Sequence, residues 1–142
     1  MIRIDNLVRT YGSTNAVDGL SLEVHAGEIF AFLGPNGAGK TTTIRILTNL
    51  TKPTSGTVTL NGLSVVDEPL KVKREFGVVQ QHMSLDRELT VWECMELHAR
   101  LHRVGKPERE QRIAELMEYV DLVEYANRTV MDLSGGIKRR LQ

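Results

Sequence analysis

Eight consecutive residues, Gly34-Pro35-Asn36-Gly37-Ala38-Gly39-Lys40-Thr41, limit what this chain can fold into more than any other stretch. They match the pattern G-x-x-x-x-G-K-[ST] in full. Glycines let the backbone curl so that successive N–H groups point into one concavity, which suits anionic oxygens. Such a loop works where a buried strand runs into it and a helix leaves it. Both flanks are present. Residues 29–33 form a continuous apolar run, as expected of a strand covered on both faces. Residues 40–50 carry Ile44, Leu47 and Leu50 at helical spacing. A helix beginning near Lys40 adds the positive end of its dipole to the concavity. Lys40 then sets an ammonium on the terminal phosphates of ATP, and the Thr41 hydroxyl coordinates Mg²⁺. Thr42 belongs to the same phosphate-binding set. The bland alternative, an accidental Gly-rich turn, sits poorly with this strand-and-helix setting. A dinucleotide site is disfavoured too, because Asn36 and Ala38 break the G-x-G-x-x-G order.

The rest of the chain changes character along its length. Residues 2–4, 20–24 and 57–61 read as short strands bounded by Gly, Asn and Asp, and 75–79 is a further candidate. From Thr90 the period becomes helical. Thr90-Val91-Trp92-Glu93 matches a capping box, opening a helix that should run to about Leu101. Gly105-Lys106-Pro107 interrupts it, and 108–120 reads as the next helix, with Ile113, Leu116, Met117 and Val120 on one face. The expected order is mixed β, then parallel α/β, then a mainly helical stretch.

Composition excludes several classes. Lys+Arg and Asp+Glu number 18 each, so the net charge offers no argument for nucleic acid as a partner. A single cysteine, Cys94, rules out a disulfide framework and fits a reduced cytosolic setting. Residues 1–5 lack the apolar core of a signal peptide. No apolar stretch approaches the roughly 20 residues that span a bilayer, so any membrane-spanning part belongs to another chain.

A second motif narrows the reading. Leu133-Ser134-Gly135-Gly136 follows the helical stretch and leads into a basic helix start. Phosphate loop, intervening helices and this signature together resemble the nucleotide-binding domain of ABC transporters, over essentially the whole chain. The similarity is greatest to ATP-binding subunits of ABC-2-type exporters of the daunorubicin-resistance kind. Gly105-Lys106-Pro107 and the ending Leu-Ser-Gly-Gly-Ile-Lys-Arg-Arg-Leu-Gln carry it, with Ile137 in place of the commoner Gln.

The resemblance implies a P-loop α/β fold of the ABC ATPase type: a β-rich ATP-binding core over 1–88 and a helical subdomain over 89–142. It implies that Tyr11 stacks on adenine and that Gln81, or its neighbour Gln80, touches Mg²⁺ and senses the membrane partner. Ser134, Gly135 and Gly136 would bind the γ-phosphate of ATP held by Lys40 of a second, head-to-tail copy. The implied partners are that second ATPase domain and a membrane-spanning permease, with the protein cytoplasmic and peripheral at the inner face of the membrane. The family also places an Asp-Glu pair about twenty positions after the signature, behind four apolar residues. No run of four apolar residues ends in Asp-Glu here, and the chain ends at Gln142. The expectation is an N-terminal fragment that binds ATP without hydrolysing it. Its signature helix is expected to be marginal, since isolated helices under about 12–15 residues are unstable in water.

Plainer readings stand beside these. Tyr11 is alternatively a half-buried loop aromatic, Gln81 a loop amide, and Ser134-Gly135-Gly136 a turn capping a helix. Trp92 and Cys94 read as packing. His25, His82, His98 and His102 lack metal-ligand spacing, and 138–140 reads as a solvated basic face. Competing classes are a soluble, non-transport ABC ATPase, a P-loop kinase or GTPase, and a binding module without turnover.

Overall fold

The computed structural model describes residues 1–79 and 85–142. Met1–Gly77 and Val78–Gln142 form two compact units, each with its own core.

In the first unit, β1 (Ile2–Tyr11) turns at Gly12-Ser13 into β2 (Thr14–Val24). β1 also pairs with β3 (Ser55–Leu60), which pairs with the short β4 (Leu63–Ser64). The sheet order is β2-β1-β3-β4, and every pairing is antiparallel. Along β1 strict alternation would turn Asn6 inward. Instead the ladder slips between Ile4 and Leu7, and Asn6 takes φ 46°, so Leu7 is buried beside Ile4. An extra residue in the strand is what re-aims a side chain this way. Against this face packs α1 (Lys40–Leu47), with Ile46 fully buried among Ile4, Leu7, Val17 and Val58. Pro69–Val72 forms a single short turn of helix, α2, closed over the core by Val72.

Two expected strands do not form. Residues 29–33 have no regular structure, with Ile29 fully exposed and Leu33 88% exposed. Residues 75–79 are irregular as well. An apolar run becomes a strand only when a neighbouring strand satisfies its N–H and C=O groups. Among the described residues none pairs with either segment, so the expected parallel ladder is absent there. The helix expected over 40–50 is also shorter. Asn49 adopts a left-handed φ of 56°, and the amides of Leu50 and Thr51 fold back onto the Arg45 carbonyl, closing the helix.

The second unit is helical. The capping box forms as read: Thr90 Oγ1 accepts from the Glu93 amide at 3.2 Å, and Glu93 accepts from the Thr90 amide at 2.8 Å. These bonds to Thr90 hold the Glu93 carboxyl below its usual pKa. The box opens α3 (Val91–Leu101), followed by α4 (Lys106–Tyr119). Val91, Cys94, Ile113, Met117, Leu122 and Val130 are buried at the centre, with Trp92 against them. Burial raises the Cys94 thiol pKa, so this thiol stays protonated and inert. Cys94 and Trp92 thus serve as packing. Two 3₁₀ turns, Val123–Tyr125 and Val130–Asp132, lead to α5 (Gly135–Leu141).

Candidate nucleotide site

The Gly-rich loop is seated on β2. Gly39, the residue before α1, has φ 80°, a left-handed conformation. A Cβ built there would lie 2.5 Å from the Ala16 carbonyl oxygen and 3.2 Å from Val17 Cγ2. Only glycine lets the loop lie this close to the strand. The first helical bond runs from the Thr43 amide to the Gly39 carbonyl at 2.8 Å, and the Thr43 hydroxyl donates to the same oxygen at 3.0 Å. The amides of Lys40, Thr41 and Thr42 lie ahead of that bond, at the positive end of α1. Lys40 curls back over the loop, with Nζ donating to the Gly34 and Pro35 carbonyls at 2.6 Å each. The Ala38 amide bonds Pro35 O at 3.3 Å across the turn that holds Asn36 and Gly37. A ring of main chain closed by an ammonium, with amides of a helix start at its rim, is chemically an anion cradle.

Tyr11 ends β1 and is 46% exposed. The Arg9 guanidinium lies over its ring, 4.4 Å from the centroid. Hydrogen bonding from Arg9, then from Thr51, holds the Tyr11 phenol below its ordinary pKa. Thr51 is in turn tied through its amide to Arg45 O, on the helix that leaves the phosphate loop. The structure sets Tyr11 at a strand end with an arginine over its ring. Arg9 carried no signal in the sequence beyond its place two residues before Tyr11.

The signature residues occupy the start of α5. Ser134 is its N-cap, and its Oγ accepts from the Ile137 amide at 3.4 Å. Gly135 and Gly136 have no left-handed φ, and a Cβ on either would meet nothing within 4 Å. Neither glycine is demanded by the unit's own backbone or packing. The short helix is tied down rather than left marginal. Ile137 and Leu141 pack on the core, Lys138 Nζ donates to Met131 O at 3.0 Å, and Arg140 donates to Val120 O at 3.0 Å. Lys138 and Arg140 therefore staple the helix instead of forming a purely solvated face.

Gln81, Gln80 and His82 lie outside the described residues. The one Asp-Glu dipeptide in the chain, Asp67-Glu68, is used locally: Asp67 accepts from the Ser64 hydroxyl at 2.6 Å and Glu68 from Lys71 at 2.9 Å. No group of three or more His, Cys, Asp or Glu among the described residues could hold a metal ion. None of the helices in the described residues is long and apolar enough to cross a membrane.

This loop, helix and sheet arrangement is the P-loop fold of ABC ATPases. An ATP-binding cassette solved as a dimer in a post-hydrolysis state, bound to ADP and Pi, superposes with a TM-score of 0.78 at 30% identity, covering 99% of this chain and 66% of that one. The family model described as ABC transporter matches residues 17–142, and the chain belongs to that family. A daunorubicin resistance ATP-binding protein of Streptomyces coeruleorubidus is 41% identical over 140 residues, which are 99% of this chain and 44% of the relative. A linearmycin resistance ATP-binding protein of Bacillus subtilis is 37% identical over 141 residues, 99% and 45% respectively. The chain spans less than half the length of these curated relatives.

Proposed function

We propose that this chain is the ATP-gripping part of an ABC ATPase that powers export through a separate membrane-spanning permease. In this reading residues 1–88 are the ATP-binding core and 89–142 the helical subdomain. The phosphates of ATP lie in the loop from Gly34 to Gly39 and on the amides of Lys40, Thr41 and Thr42. Thr41, with Gln81, holds Mg²⁺, and Tyr11 carries the adenine. The supporting observation is the cradle itself, closed by Lys40 Nζ on Gly34 and Pro35 at the start of α1. Phosphate oxygens would offer that ammonium charged acceptors in place of neutral carbonyls, and charge-assisted bonds are stronger. The export assignment draws on relatives named for drug resistance.

The signature reading has its own support. Glycines that the fold does not require are explained by close approach of another group. At Gly135 and Gly136 that group would be the γ-phosphate on a second copy, in a dimer with the protein peripheral to the cytoplasmic face of the membrane.

Two measurements test the reading. Base stacking contributes about 1–3 kcal/mol, so Tyr11→Ala should weaken ATP and GTP by similar factors, on the order of tenfold. Tyr11→Phe should change neither. Equal affinity for Tyr11→Ala and its parent in calorimetry would return Tyr11 to packing. The second concerns turnover. The one Asp-Glu pair, Asp67-Glu68, is engaged in local bonds. The 142-residue chain should release no phosphate from ATP–Mg²⁺ above background. Steady release abolished by Lys40→Ala would show that it contains a working base.

A further inference from the structure

We propose that Arg9 is a positioning residue for the nucleobase, holding the Tyr11 ring in the orientation on which the base stacks. The inference rests on Tyr11 being the base platform, and it concerns what makes that platform rigid.

Arg9 and Tyr11 are two apart on β1, and their side chains meet. The guanidinium lies 4.4 Å from the ring centroid, within the range of a cation–π contact. Its Nε is buried and has no hydrogen-bond partner. A buried donor without a partner is costly, and an arginine free to choose would turn that group to water. The guanidinium instead stays over the ring, a contact that arginine makes more readily than lysine.

A ring covered on one face loses less freedom when a base lands on its other face. Fixing a contact group beforehand raises affinity by removing the ordering cost from the binding step. Arg9 therefore acts through Tyr11 and never needs to touch the nucleotide.

The experiment compares two ligands on the 142-residue chain: ATP–Mg²⁺, which has a base, and inorganic triphosphate–Mg²⁺, which does not. Arg9→Ala is expected to weaken ATP binding about three- to tenfold and leave triphosphate binding unchanged, in keeping with the energy of stacking. Unchanged triphosphate binding also establishes that the variant is folded. Adding Arg9→Ala to Tyr11→Ala is expected to cost nothing further. Equal weakening of both ligands would overturn the proposal, since Arg9 would then act on phosphate or on the fold. Additive effects in the double variant would overturn it too. A silent Arg9→Ala beside a weakened Tyr11→Ala would remove the positioning role and leave the base platform standing. A silent Tyr11→Ala would remove both.

Discussion

Replacing Lys40 with alanine should weaken ATP–Mg²⁺ binding about 10- to 100-fold while leaving the thermal midpoint of the chain close to its parent's. A charge-assisted contact contributes roughly 1.5–3 kcal/mol, and each 1.4 kcal/mol is tenfold in affinity. The structure shows why stability should be spared. Lys40 Nζ spends its two bonds on the carbonyls of Gly34 and Pro35, both on an exposed loop. Water can take over at those oxygens when the ammonium is gone, so no buried group is orphaned. Isothermal calorimetry with ATP–Mg²⁺, run beside a circular dichroism melt, checks both halves. Unchanged affinity would remove the phosphate-loop assignment altogether.

Gly39→Ala should do more, losing stability and nucleotide binding together. The new Cβ would sit 2.5 Å from the Ala16 carbonyl oxygen, a separation at which backbone must move. The residue also keeps φ 80°, where a side chain is strained. Left-handed strain alone costs about 1–3 kcal/mol, and the clash with a strand adds to it. The loop can relieve the clash only by lifting off β2, which moves the amides of Lys40, Thr41 and Thr42 away from a shared focus. ATP affinity should therefore fall by more than tenfold, and the melting temperature should drop. Gly37 supplies the control. It has φ 87° but open space where its Cβ would be, so Gly37→Ala pays the backbone cost alone. Similar effects from the two substitutions would show that contact with Ala16 is not what fixes the loop.

Features that close within a few residues were legible in the sequence. The capping box at Thr90 and Glu93 joins positions three apart, and it formed as the side-chain chemistry required. The helix start at Lys40 and the cap at Ser134 are equally local, because the groups they satisfy belong to the same turn. The residue types of the phosphate loop carry their chemistry in the same way. Its backbone turn, its ammonium and its following helix are contiguous in the chain.

Strands were less legible, for a physical reason. The apolar run at 29–33 has the composition of a buried strand, but a strand's main-chain bonds lie with a neighbour that may be far off in sequence. No described strand pairs with it, so it stays irregular and exposed. β1 shows the converse, since its slip between Ile4 and Leu7 is visible only in the pairing with β2 and β3.

By itself the sequence determined the residue types of the phosphate loop and the starts of the helices at Lys40, Val91 and Gly135, while α4 begins at Lys106, two residues before the expected 108. Only the tertiary structure decided that Gly39 must be glycine because Ala16 lies against it, and that Arg9 covers a face of Tyr11. It alone also left Gly135 and Gly136 with nothing in their own unit to explain them. The division follows bond reach. A motif read along the chain specifies contacts a few residues long, whereas seating, stacking and open space depend on which distant segment arrives beside it.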